Sequence, residues 1–266
     1  MPRLSLIMIT RNARPTLARS IGSVGFADEV VVVDNGSTDD TPSLARSLGA
    51  KVIETQDWPG FGAQKNRALA AAGGDWVLSL DADEWIEAPL AAEIQATIAD
   101  PNAADGYEIP RRSRFCGRIV RHSGWSPDYV LRLFRRGRGY FSDDIVHEAV
   151  IVEGRRGRLK NPIEHAPIAD PADALDKAER YATSAADMLI AKGRRANRLT
   201  AAARGGWALF RTFILRGGFL DGRTGVAVAM YNFRYTYRKW TLVADASSAR
   251  KGSGRDSRTG STKAAS

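Results

Sequence analysis

Carboxylates stand where two short apolar runs stop. Val30-Val31-Val32-Val33 ends at Asp34, and Trp76-Val77-Leu78-Ser79-Leu80 ends at Asp81-Ala82-Asp83-Glu84. Carboxylate oxygens suit hard cations such as Mg2+ or Mn2+, which keep several waters and bind through one or two protein acids plus substrate phosphates. Asp81 and Asp83 are therefore candidates for a cation site; the competing role for each is to cap the turn that follows. Asp34 can accept hydrogen bonds from a nucleobase or ribose, or can hold its own loop as an Asx-turn through Asn35-Gly36-Ser37.

Two further stretches carry groups of this kind. Gly60-Phe61-Gly62-Ala63-Gln64-Lys65-Asn66-Arg67 puts glycines ahead of a helical stretch with Lys65 and Arg67 in its first turns. Such a helix start suits a diphosphate, and it equally describes a solvated basic face. It is neither Gly-x-Gly-x-x-Gly nor a Walker A loop. Asp143-Asp144 and His147-Glu148 supply acids able to take a proton from a hydroxyl. The histidines, His122, His147 and His165, lack a metal-motif spacing such as His-Glu-x-x-His.

These side chains need elements that deliver them to one place. Val30 to Val33 show no alternation, which predicts a strand buried on both faces of a parallel sheet. The carboxyl end of such a strand is where open α/β sheets build ligand sites. Strands are predicted over 4–10, 29–34, 51–55 and 75–80. Helices are predicted over 15–24, from Thr38 to near Gly49, over 62–72 and over 87–99. This βαβα order implies an α/β fold, a mostly parallel sheet with helices on both faces. Beyond Gly106 the pattern predicts strands at 107–110, 129–134 and 148–153, separated by a basic loop. Helices follow over 173–192, 199–216 and 222–243. Residues 247–266 are Ser-, Gly-, Arg- and Lys-rich and predict disorder.

Composition narrows the partners. The 266 residues carry a net charge of +9, which favours anionic partners: nucleotide phosphates, nucleic acid or an acidic membrane surface. The one cysteine, Cys116, excludes an internal disulfide and suits a reducing compartment. No signal-peptide pattern and no membrane-spanning run is present, so a cytoplasmic location is expected. Val226, Met230, Phe233, Tyr237 and Trp240 recur at helical spacing beside Arg223, Arg234, Arg238 and Lys239. Trp207, Phe210 and Ile214 form a similar stripe near Arg204, Arg211 and Arg216. Either these stripes pack in a core, or they lie on an anionic bilayer with cations at the headgroups.

Residues 4–12, 30–41 and 78–83 resemble the nucleotide-sugar domain of GT-A family 2 glycosyltransferases. Residues 60–69, 115–125, 132–136 and 146–148 resemble the bacterial WaaE-type lipopolysaccharide-core β-glycosyltransferases. Gly218-Phe219-Leu220-Asp221-Gly222-Arg223-Thr224-Gly225 and the aromatic helix after it are similar to the carboxyl end of such enzymes. The resemblance implies a GT-A (Rossmann-like) fold with a helical C-terminal extension. It divides the chain into a nucleotide-sugar half at 1–105, an acceptor and catalytic half at 106–170, helices at 171–245 and a tail at 246–266. It further implies an inverting hexosyl transfer from a nucleoside-diphosphate sugar, UDP favoured, to a glycolipid or oligosaccharide hydroxyl in lipopolysaccharide core or other envelope glycan synthesis. Such an enzyme would work in the cytoplasm or on the inner face of the cytoplasmic membrane.

Residue by residue, the resemblance implies that Thr10 and Arg11 line the nucleotide pocket and that Asp34 holds the base. Lys65 approaches the diphosphate, Asp81 meets the ribose, and Asp83 ligates Mg2+ or Mn2+. Glu148 is the base, with Asp144 and Asp143 behind it. The chain departs from the family in having Ala13 where many relatives have glutamate, and His147-Glu148 where many have Glu-Asp. Arg238-Lys239-Trp240 is not the Gln-x-x-Arg-Trp of processive members, which implies transfer of a single sugar. Two alternatives remain open at this point. A sugar-phosphate nucleotidyltransferase would share the sheet order but carry a Gly-, Arg- and Lys-containing signature after its first strand, unlike Arg11-Asn12-Ala13-Arg14-Pro15. A non-catalytic protein binding nucleic acid or membrane would explain Arg111, Arg112, Arg114, Arg118 and Arg121 but not acids at strand ends. No nucleic-acid partner is expected.

Overall fold

In the computed structural model, residues 1–142 and 149–259 are described, with side chains through residue 249. The chain forms two compact units, one of residues 1–113 and 127–167, the other of 114–126 and 168 onward.

The first unit opens with the predicted alternation. β1 (Leu4–Thr10), α1 (Arg14–Gly22), β2 (Glu29–Asn35), α2 (Thr41–Ser47), β3 (Lys51–Thr55), α3 (Phe61–Ala70) and β4 (Trp76–Ser79) follow in turn. Prolines in the first turns of α1 and α2 fit where no intrahelical donor is needed. These strands lie in the order β3-β2-β1-β4, all parallel. The chain therefore moves outward from β1 to β3, then returns past β1 to lay down β4 on the other side. That reversal makes a crevice at the carboxyl ends of β1 and β4.

Alternate residues of the buried strands feed opposite faces. Leu4, Leu6 and Met8 of β1, Val32 of β2, and Trp76 and Leu78 of β4 join Leu17 and Ile21 of α1 in one core. Ile7, Val31, Val33 and Val77 face the other way onto Ala68 of α3. Burial on both faces is why these runs read as continuous apolar segments.

The rest of the unit is antiparallel in its main pairings. β5 (Glu84–Ile86), α4 (Ala88–Ala99), β6 (Gly106–Phe115), β7 (Arg118–Ile119, in the second unit) and β8 (Tyr129–Arg135) come next. β9 (Gly139–Phe141), β10 (Val150–Val152), β11 (Arg156–Arg158) and β12 (Ile163–Ile168) complete it. The sheet continues from β4 through β8, β6, β12 and β5, while β9 and β10 form a separate hairpin. The structure thus has the expected α/β architecture, with a mixed second half. β6 runs through the expected basic loop because its arginines find acids: Arg111 meets Glu84 and Asp128, and Arg112 meets Glu164. β5 and β12 were not read from the sequence. β5 is three residues long, and β12 holds two ionisable side chains and Pro167, so neither shows strand periodicity.

In the second unit, α5 (Pro171–Ala191) is capped by Asp170, whose carboxylate accepts from Ala172 N and Asp173 N. α6 (Arg198–Phe210), capped by Asn197, passes into a π-helical turn at Arg211–Leu215 and a 3-10 turn at Gly218–Asp221 before α7 (Arg223–Thr259). α6 approaches α7 closely at Gly205, where a Cβ would lie 3.1 Å from that of Tyr237. The segment 114–126, expected in the sheet half, clusters with these helices.

The aromatic stripes are only partly buried. Trp240 is buried with Val243, Ala186 and Ala201, whereas Trp207, Phe210, Ile214, Val226 and Met230 are exposed. α7 runs into the stretch expected to form the tail, as far as Thr259. The Ser247 hydroxyl donates to Val243 O at 2.7 Å and accepts from Ala196 N at 3.2 Å, which ties the start of that stretch into the helix. Among the described residues, no helix is long and apolar enough to cross a membrane.

Candidate active site

At the β1 and β2 ends, neutral groups bind the loops together. Asp34 is buried and its carboxylate accepts from Thr10 Oγ1 at 2.8 Å, Ser37 N at 2.9 Å and Ser37 Oγ at 2.6 Å. Asn12, in the left-handed region at φ 52°, accepts at Oδ1 from Thr38 N at 2.8 Å and donates its own N–H to Ser37 Oγ at 2.8 Å. Asparagine tolerates that backbone better than most residues. Ala13 N donates to Thr41 Oγ1 at 2.8 Å. The Asp-Asn-Gly-Ser-Thr-Asp string therefore fastens the loop after β2 to the loop after β1. Arg11 stands exposed at the edge of this clamp.

The β4 end is ionic. Asp81 Oδ1 lies 2.9 Å from Lys65 Nζ, and Asp81 Oδ2 accepts from Arg132 at 2.5 Å. Arg132 also donates to Glu84 at 2.9 Å, and Arg111 bridges Glu84 at 3.2 Å to Asp128 at 2.7 Å. Glu84 Oε2 accepts from Asp81 N at 2.9 Å, which closes the turn. Three cations thus face three acids, and Lys65, Arg132 and Glu84 are buried. Burial alone would raise the Asp81 carboxyl; the charges of Arg132 and Lys65 outweigh it and hold the group well below the ordinary carboxylate range. Burial would likewise lower Arg132, but Asp81 and Glu84 push it above its usual value. Lys65, expected at a diphosphate, is here the partner of Asp81.

Asp83 is arranged differently. Its Oδ2 lies 3.7 Å from His165 Nε2, and its backbone carbonyl accepts from Ala166 N at 3.0 Å. His165 Nδ1 is 2.9 Å from Ser113 Oγ. With Nδ1–H donating to that hydroxyl, Nε2 presents its lone pair on the Asp83 side. A carboxylate and an imidazole fit a divalent cation whose other positions are water and phosphate. Among the described residues no group of three ligating side chains occurs.

Asp143, Asp144, His147 and Glu148 lie outside the described residues. The chain leaves at Ser142 and returns at Ala149, where Ser142 N donates to Ala149 O at 2.9 Å. β9, which pairs with β10, is fixed to α3. Asn66 Nδ2 donates to Phe141 O, and Phe141 N donates to Asn66 Oδ1, each at 2.9 Å.

Arg132, Glu84 and His165 have roles here that the sequence alone does not assign. Arg132 left a signal, because a lone arginine inside Tyr-Val-Leu-Arg-Leu-Phe must find a buried acid. His165 left none, since its partner is 82 positions away and no spacing links them.

The site thus lies where the parallel strands end in acids, in a sheet that antiparallel strands continue. The chain belongs to glycosyl transferase family 2, whose family model matches residues 5–152. It is 30% identical to an uncharacterized glycosyltransferase of Rickettsia typhi, over 85% of this chain and 81% of that one. It is 28% identical to the lipopolysaccharide core biosynthesis glycosyltransferase LpsC of Rhizobium meliloti, over 91% and 94% of the two chains. The crystal structure of S. aureus TarS 1-349 in complex with UDP-GlcNAc matches with a TM-score of 0.48 at 17% identity, over 91% of this chain and 92% of that one.

Proposed function

We propose that this glycosyltransferase moves one hexose, with inversion, from a nucleoside-diphosphate sugar, UDP favoured, to a hydroxyl of a glycolipid or oligosaccharide in lipopolysaccharide core or related envelope glycan synthesis. The observation that carries the reading is the contrast at the β4 end, where Asp81 is fully engaged by cations and Asp83 faces an imidazole. Likeness to LpsC supports the class of acceptor.

In this reading Thr10, Arg11 and Asp34 surround the nucleoside, with the Asp34 clamp setting the pocket's shape. Asp81 lies toward the ribose, and the donor diphosphate competes with it for Lys65. Asp83, with His165, would hold Mg2+ or Mn2+, which supplies charge stabilisation for the departing nucleoside diphosphate. Glu148 accepts the proton of the attacking hydroxyl, with Asp144 and Asp143 as the other acids of that segment. The exposed aromatic residues of the second unit fit work at the inner face of the cytoplasmic membrane.

Incubating the full chain with a panel of nucleotide sugars, Mn2+ or Mg2+, and lipopolysaccharide-core acceptors tests this. Transfer should vanish in Asp83→Ala and in Glu148→Gln with folding unchanged. Full turnover in Glu148→Gln would remove it as the base, and activity that survives EDTA would remove the cation. Release of diphosphate from a nucleoside triphosphate and a sugar phosphate would replace the reading altogether.

A further inference from the structure

The second unit holds a cavity of about 820 Å3, a size common for small-molecule sites. Its lining is largely apolar. Phe115, Ala174, Ala227 and Tyr231 line it, with Leu175 and Met230 as further lining residues that are 48% and 49% exposed. Burial, followed by the charges of Tyr181, Tyr235 and Asp173, pushes the Tyr231 phenol up to about 12.

Arg118, Arg223 and Arg234 also line it, and among the described residues none of them has a carboxylate partner. The acid of the lining, Glu179, is already paired with Arg238 at 2.6 Å. The cavity therefore offers apolar surface and surplus positive charge together. Neither a free phosphate nor a neutral hydrocarbon alone would satisfy both halves. Arg223 begins α7 just after the 3-10 turn, where Phe219 and Leu220 are 52% and 61% exposed. Exposed apolar side chains beside arginines are what a protein presents to an anionic bilayer.

We infer that this cavity takes one acyl chain of an anionic membrane lipid, with the phosphate of its headgroup held by Arg118, Arg223 and Arg234. The inference is independent of sugar transfer, because its test contains no nucleotide sugar.

Calorimetric titration of the full chain with dodecyl phosphate, decyl phosphate, dodecanol and inorganic phosphate separates the two halves of the site. Dodecyl phosphate should bind, and loss of two methylenes should weaken binding about tenfold. Inorganic phosphate should give no saturable heat, and dodecanol should bind more weakly than its phosphate. Ala227→Trp, which fills the cavity, should lower affinity at least about tenfold by the same loss of apolar burial. Leu175→Trp, at a more exposed position, serves where circular dichroism shows that Ala227→Trp does not fold. Arg234→Ala should weaken dodecyl phosphate and leave dodecanol unchanged. Affinity independent of chain length, or undiminished in the folded tryptophan variants, overturns the inference. So does sedimentation with phosphatidylglycerol but not phosphatidylcholine vesicles if dodecyl phosphate fails to bind, since the exposed surface alone then meets the bilayer.

Discussion

Asp34 and Asp81 both end buried parallel strands of one sheet, yet they are held in opposite ways. Asp34 accepts from two hydroxyls and a backbone N–H, all neutral and all within the loops it joins. Asp81 is held by a lysine from α3 and an arginine from β8, elements distant in sequence. The first arrangement fixes the shape of a loop; the second fixes where elements sit and stores charge beside the crevice. A strand-end acid in an α/β sheet can thus act as a brace or as an electrode, depending on its donors.

The largest effect should come from removing the arginine. Arg132→Met leaves Asp81 and Glu84 short of a cation in a buried setting, and should cost about 3–5 kcal/mol in a urea melt. A loss below about 1 kcal/mol would mean that the network behaves like surface pairs, and the contrast with Asp34 would collapse.

Acid provides the next test. Asp81 titrates below its unfolded value, so its contribution is present above the ordinary carboxyl range near pH 4 and is lost as pH falls toward its own lower value. Urea midpoints between pH 7 and pH 3 should therefore fall, and less steeply in Asp81→Asn. An identical slope in the variant would show that other acids carry the acid limb.

Smaller again, Asp34→Ala strands three donors and should cost about 1–3 kcal/mol. As a brace for a donor pocket, it should also raise donor KM more than it lowers kcat; the reverse would move Asp34 into the chemistry. Ser37→Ala removes one hydroxyl that both donates to Asp34 and accepts from Asn12, and should cost about 0.5–1.5 kcal/mol by thermal melt.

Much of the first half was legible because one physical rule governs it. β1 and β3 have the predicted bounds: in β1 burial on both faces leaves a nearly unbroken apolar run, whereas β3, an edge strand with no buried residue, is marked by Val52-Ile53 alone. The second half obeys a different rule. β6 and β12 carry arginines, a glutamate and a histidine whose places are set by partners across the sheet, and such pairings leave no local period. The same holds at the site. Asp34, Asp81 and Asp83 stand out in the sequence as interruptions of strands, whereas the partners of His165 and Glu84 are set only by the fold.

The matched charges around Arg132 have a consequence for ionic strength. Salt screens exposed charges and hardly reaches buried pairs. The whole chain carries +9, and this excess repels itself at the surface. Added salt should therefore relieve that repulsion while leaving the acids and bases beneath the crevice as tightly joined as before, so the protein gains firmness in brine where one stapled by surface pairs would loosen.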